Sequence, residues 1–390
     1  MNLWNWLYLS ILHLPIAFYL TRSGLYIQLM YNSVHFDIYQ NNTMQKLLTF
    51  WCLLLCGTTI VQAQNGYKPA YPFELGVQLG TSQFLGDLGG VGATAVANNE
   101  WQKGVGVPFI IDTDIESVRP IAGVFARYSI GGHFAARLDL NYLQLAGDDK
   151  NAGIGQFDAT EKSTNAAWFR YYRNLSFRTH VFEANVAAEI TPYNFEIGNG
   201  YSDFSVISPY GFIGVGLFAF NPQAIYNGSW VDLQPLSTEG QGLVEGRANY
   251  ELVQFNIPMG FGVKWSYNDT WALALEVGHR VTFTDYIDDV STYYVDPDVF
   301  TQNFDAQTAE MATALARRSV EIDPTGKYAY VTDARLAPNK PNSSEPQNLQ
   351  RGDRFGHNDG YYTVSVRFSY YIDVNSLRGA GGKRYGCPVW

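Results

Sequence analysis

The sequence predicts an all-β protein: an eight-stranded antiparallel transmembrane β-barrel of the outer-membrane type with long extracellular loops. Three observations carry that expectation. Aromatic residues make up 15 % of the chain and charged residues only 16 %, whereas about a quarter of an ordinary soluble domain is charged, so the usual covering of a water-facing surface is missing. Downstream of the N-terminal region no apolar run reaches the roughly 18 residues of a membrane-spanning helix, and mean hydropathy is slightly negative. Eight segments instead alternate apolar and polar residues with period two, as a strand does when one face meets lipid and the other a polar lumen.

The chain is expected to begin with a secretory signal over 44–63. Lys46 supplies a basic n-region, residues 47–60 an apolar h-region, and Val61-Gln62-Ala63 the small-residue cleavage site before Gln64. Leu55 ahead of Cys56 argues against a lipoprotein. Residues 1–43 add a second apolar stretch, 3–20, without a basic n-region; they read as an upstream extension from a start codon placed too early. The rival reading is a retained N-terminal membrane helix. The mature chain then divides into a barrel over 64–373 and a periplasmic C-terminal tail over 374–390.

The strands follow in order. The first, 73–81, puts Phe73, Leu75, Val77 and Leu79 on one face. The second, 120–130, and the third, 133–145, are separated by Gly131-Gly132, a tight hairpin. On the third, Phe134, Ala136, Leu138, Leu140 and Tyr142 oppose Arg137, Asp139 and Asn141. The fourth, 175–190, sets Phe182, Ala184, Val186 and Ala188 against Glu183, Asn185 and Glu189. The fifth, 206–220, carries Gly211, Gly214 and Gly216, as where a strand bends or packs closely. The sixth, 251–265, opposes Phe255, Ile257, Phe261 and Val263 to Asn256, Gly262 and Lys264, with Pro258 predicting a bulge or a local break. After the turn at Tyr267-Asn268-Asp269 comes the seventh, 271–283, with Leu273, Leu275 and Val277 opposite Glu276 and Arg280. The eighth, 361–372, alternates Val364, Val366 and Phe368 with Ser365, Arg367 and Ser369. Short and long connections alternate as an up-and-down barrel requires, which places both termini in the periplasm and the long loops outside. The longest loop, 284–359, contains a helix-forming run at 306–318.

With the apolar faces turned outward, Arg137, Asp139, Glu183, Glu189, Lys264, Glu276, Arg280 and Arg367 are forced into the lumen. Eight strands enclose a space that side chains can fill, so these residues read as a salt-bridged plug rather than an ion path. No cofactor or metal is expected. The run from Thr284 to Asp289 has carboxylates but lacks the spaced ligands and central glycine of a known calcium loop, and reads as an exposed acidic turn. His279, His357, Ser291, Asp285, Asp288 and Asp289 are the side-chain types a lipid-modifying enzyme uses, yet no spacing links them, and each reads as a solvated loop residue. Arg351-Gly352-Asp353 matches an integrin tripeptide by letters only. A net charge of −10 without a basic stripe argues against nucleic-acid binding.

Several segments carry a family resemblance: Phe84-Leu85-Gly86-Asp87-Leu88-Gly89-Gly90, Arg173-Asn174-Leu175-Ser176-Phe177-Arg178, Phe220-Asn221-Pro222, Trp230-Val231-Asp232-Leu233-Gln234-Pro235-Leu236 with Thr238-Glu239-Gly240-Gln241-Gly242, and Phe283-Thr284-Asp285-Tyr286-Ile287-Asp288-Asp289-Val290-Ser291. Together they resemble the Bacteroidetes outer-membrane β-barrel family that includes PorG, a component of the type IX secretion system. The resemblance runs from about Phe73 to the C-terminus. It implies a non-catalytic barrel in the cell outer membrane that anchors the periplasmic ring formed by PorK and PorN. The long 284–359 loop and the upstream extension depart from the family pattern. A stand-alone OmpA-like structural barrel and an interfacial lipid-modifying enzyme are the alternatives.

The tail adds one more expectation. It is Gly-rich and ends in Tyr385, Cys387 and Trp390; with Cys52 and Cys56 inside the signal, Cys387 is left unpaired in an oxidising compartment, which suggests an intermolecular disulfide or a free thiol. The resemblance favours the disulfide, with the lipoprotein of the periplasmic ring as partner, and Tyr385 and Trp390 as further docking residues.

Overall fold

The computed structural model describes residues 8–11, 14–21, 24–29, 69, 71–88, 115–151, 166–198, 204–325, 351–352 and 358–373. The expected signal over 44–63 and the tail with Tyr385, Cys387 and Trp390 lie outside them. Contacts divide the chain into two units, Met1–Gln64 and Asn65–Trp390.

In the first unit, Tyr8–Ile11, Leu14–Thr21 and Gly24–Leu29 form a three-stranded antiparallel meander, where the rival reading placed a membrane helix. The local sequence explains the difference. Ile11, Ile16, Phe18, Tyr19, Tyr26 and Ile27 favour strands, and Pro15 would break a helix through this stretch.

The second unit is a closed barrel of eight antiparallel strands: β1 Phe73–Leu85, β2 Arg119–Ile130, β3 Phe134–Asp148, β4 Ser176–Ile190, β5 Ser205–Ala219, β6 Val253–Tyr267, β7 Trp271–Thr282 and β8 Gly360–Ile372. Each pairs with its neighbour in sequence, and β8 pairs with β1 from Gly360↔Leu85 to Ile372↔Phe73, which closes the cylinder. Period-two alternation sets the register. On β3, Leu138 and Leu140 are about half exposed (46 % and 50 %), while Arg137 and Asp139 between and beside them are 5 % and 2 % exposed.

Short turns link β2 to β3 and β6 to β7 at the end where β1 begins and β8 ends. Gly131 takes a φ of 82° in the first, and Asn268 and Asp269 take left-handed backbone in the second. Aromatic side chains ring the outside at this turn end: Trp271 stacks on Phe368 at 6.2 Å, and Trp265 meets Trp271 edge-on at 5.2 Å. At Pro258 the ladder to β5 lacks the pairings of Ile257 and Pro258 but resumes in the same register, so the strand has a local break and no bulge. The ladder to β7 runs through it unbroken.

The opposite, loop end is built up. The β5–β6 connection extends the sheet as a hairpin, Pro222–Tyr226 with Ser229–Asp232, whose first strand also pairs with β4. The β7–β8 connection contributes Pro297–Asn303, Ala306–Ala316 and Ser319–Ile322 as helices α2, α3 and α4, after α1 at Ala166–Arg173. Asp296 and Asp305 cap α2 and α3 by accepting backbone N–H bonds. The buried face of α3 (Ala309, Ala312, Leu315) packs with Phe300, Leu233 and Leu236 in an apolar cluster of its own. A second cluster, including Phe84, Ile121, Leu143, Phe218, Ile287 and Tyr361, closes the loop-end mouth of the barrel.

Candidate functional site

Inward-facing residues fill the lumen with a connected ionic network of eight side chains and a separate ion pair, Arg280 with Glu183. Arg137 bonds Asp139 at 2.7 Å, Glu189 at 2.7 Å and Glu276 at 2.6 Å; Arg367 bonds Glu276 at 3.0 Å and Asp139 at 2.8 Å. Arg280 reaches Glu183 at 3.1 Å and donates to Thr363 at 2.6 Å. All eight residues expected in the lumen point there, and two more join them. Glu74 on β1 pairs with Lys264 at 3.1 Å and with Arg127 on β2, and Arg127 also pairs with Glu189. Network and pair together hold five cations, Arg127, Arg137, Lys264, Arg280 and Arg367, against five carboxylates, Glu74, Asp139, Glu183, Glu189 and Glu276.

Neutral partners take up the remaining acceptor capacity. Tyr210 donates to Glu276 at 2.7 Å, Tyr361 to Glu183 at 2.5 Å, Asn141 to Glu183 at 2.9 Å and Ser369 to Glu74 at 2.9 Å. Aromatic faces cover the guanidinium planes: Arg137 lies 4.4 Å from the Phe212 ring centre and Arg367 3.9 Å from that of Phe125. Inward glycines make the room, since a Cβ at Gly76 would collide with the Phe125 ring and one at Gly216 with the Asn185 and Asn256 side chains. What is left between Glu74, Arg127, Tyr210, Lys264 and Arg367 is a cavity of ≈ 20 Å³, space for about one water. Planar-bilayer recordings of the pure protein are expected to show no steady channels, and regular ion steps would contradict the packing.

Above the lumen, the segments that carry the resemblance meet in a buried polar cap. Arg173, at the end of α1, clamps Asp149 through two bonds of 2.7 Å and donates to the backbone carbonyls of Arg351 at 2.6 Å and Asp87 at 2.7 Å. Arg351 pairs with Glu239 at 3.2 Å and lies 3.8 Å from Asp289. Glu239 accepts from the backbone N–H of Ser291 at 3.0 Å and of Thr292 at 2.9 Å. Tyr250 donates to Asp289 at 2.8 Å and stacks on Tyr286 with ring centres 4.7 Å apart. Burial outweighs the attraction of Arg351 and pushes the Asp289 carboxyl up to about 6.

This cap corrects two expectations. The acidic run after β7 is not an exposed turn: Ile287, Asp288, Asp289 and Val290 are all essentially buried, because Ile287 and Val290 join the apolar cluster at the mouth and draw the carboxylates in. Nor are the catalytic types all loop residues. His279 lies half-buried on the outward face of β7, Ser291 is buried and donates to Asp285 at 2.7 Å, and His357 lies outside the described residues. The Tyr286, Ile287 and Val290 side chains within the acidic run were the sequence signal for burial.

Fold and interior together define a small β-barrel with a charge-balanced polar plug and a structured cap on one end. Residues 123–301, from within β2 to within α2, match the model of a family described as a domain of unknown function, DUF6089. No curated protein matches the chain.

Proposed function

We propose that this chain sits in the outer membrane and serves as a non-catalytic anchor for an envelope complex, as a PorG-like component of type IX protein secretion. The observation that carries the membrane placement is the continuous outward belt of apolar side chains, among them Leu79, Val215, Phe255, Phe261 and Leu275, all half or more exposed. A folded domain in water does not leave so large an apolar surface uncovered, whereas lipid solvates it. The filled lumen favours anchoring over transport through the barrel. The secretion role rests on the motif resemblance.

In this reading the turn end faces the periplasm, and the tail beyond Asp373 reaches the ring lipoprotein, with Cys387 as the covalent link. Deleting the gene is expected to stop export of secretion cargo, and affinity capture from solubilised outer membranes to bring down the ring lipoprotein. Non-reducing gels of alkylated membranes should show a heavier species that collapses on reduction and is absent in Cys387→Ser. Intact cargo export after deletion would favour a stand-alone structural barrel. A wild-type chain that runs only as monomer would remove the covalent link while leaving the anchor to be judged by capture.

A further inference from the structure

The loop end brings together four carboxyl groups that neither the plug nor the anchor uses: Asp87 after β1, Asp285 and Asp288 in the turn after β7, and Asp359 directly before β8. Asp288 and Asp359 are each 1 % exposed. In both, one oxygen is held by backbone. Asp288 Oδ1 accepts from the N–H of Val290 at 2.9 Å, and Asp359 Oδ2 from that of Ile287 at 2.8 Å. Among the described residues, the second oxygens, Asp288 Oδ2 and Asp359 Oδ1, are buried with no hydrogen-bond partner. An ionised carboxylate in that state has lost its hydration and gained nothing for it. Among the described residues, the groups around the pair do not supply the missing charge. Asp288 faces Asp87, Asp285 and Arg173, and Asp359 faces Asp288, Asp87 and Asp285. Arg173 is already committed to Asp149 and to two backbone carbonyls.

We propose that Asp288 and Asp359 share one proton at neutral pH, and that this proton latches the turn 284–290 onto the loop-end mouth of the barrel. The latch acts on Ile287, whose N–H is held by Asp359 and whose side chain is fully buried in the apolar cluster with Phe84 and Tyr361. Burial raises both carboxyls well above the ordinary aspartate range; Asp87 and Asp285 add repulsion to each, and Arg173 only partly offsets this at Asp288. The sign follows from linkage. A carboxyl whose pKa in the fold exceeds its unfolded value binds its proton more tightly when the turn is closed, so closure is strongest in acid and weakens as pH rises toward the folded value.

Hydrogen exchange on the full chain in lipid vesicles, read at the peptide over 283–292 and corrected for intrinsic rates, tests this. Between about pH 7 and 9, above the titration of Asp289, wild-type protection should fall by up to tenfold per pH unit, the slope for loss of one proton on opening. Asp359→Asn keeps an acceptor for Ile287 and offers Asp288 an N–H in place of the shared proton, so its protection should stay flat over that range; Asp288→Asn serves if Asp359→Asn does not fold. Infrared spectra at neutral pH should show a protonated carboxyl stretch in the wild type that is absent when both residues are Asn. A flat wild-type profile, an unchanged slope in the Asn variant, or no protonated carboxyl would overturn the latch. Protection that instead follows added calcium and is stripped by EDTA would overturn it in favour of a metal.

Discussion

Arginine in place of Leu140 or Leu275 should lower the folding free energy in lipid vesicles by about 2–4 kcal/mol, the cost of a cation on the lipid face near the bilayer midplane. Both positions are central in their strands: Leu140 pairs across to Val124 and Ala184, and Leu275 to Val263 and Val366, with apolar neighbours on both sides. Depth provides the control. Arginine at Phe134 or Tyr370, near the turn-end aromatic ring, should cost only about 0–1 kcal/mol because the side chain reaches the interface. Urea titrations of the vesicle-folded variants give the ranking; equal costs at all four positions would mean that the apolar face is not in lipid.

The second large effect is expected inside. Glu276 touches Arg137, Arg367 and Tyr210, so Glu276→Gln leaves two buried guanidinium groups short of a counter-charge, and loss of one partner from a buried ionic cluster typically costs about 3–5 kcal/mol. Arg367→Met alone should be similarly severe. The double variant restores charge balance and should therefore cost clearly less than the sum of the two, the signature of residues acting as one network. Additive costs in the same urea titrations would mean the side chains act independently.

Strand number, order and facing were legible because each strand reports its two environments in every pair of residues. Bounds differ by a few residues at most: β1 runs on to Leu85 where the alternation had suggested Thr81, since Phe84 turns inward to the apolar mouth. The lumen set was legible where inward polar residues follow one another along a strand, as Arg137, Asp139 and Asn141 do on β3. Arg127 was hidden because the inner face of β2 ahead of it reads Ile121, Gly123 and Phe125. Phe125 is there to cover Arg367, a contact that only the closed barrel creates. The cap was not legible as a site at all. Its pairs join residues far apart in sequence, 112 positions between Glu239 and Arg351 and 178 between Arg173 and Arg351, and no local pattern encodes such a meeting.

The distribution of lumen charge along the chain bears on how the cylinder is assembled. Strands β1 to β4 contribute Arg127 and Arg137 against Glu74, Asp139, Glu183 and Glu189, an excess of two negative charges; β5 to β8 contribute Lys264, Arg280 and Arg367 against Glu276, an excess of two positive ones. Each half of the polypeptide is therefore electrostatically incomplete and complementary to the other. Two N-terminal halves, or two C-terminal halves, would repel if brought face to face, so the polarity that stabilises the finished barrel also discriminates against the wrong partner while strands are still being recruited. Neutrality arrives only with the last seam, when β8 brings Arg367 to Asp139 and Glu276.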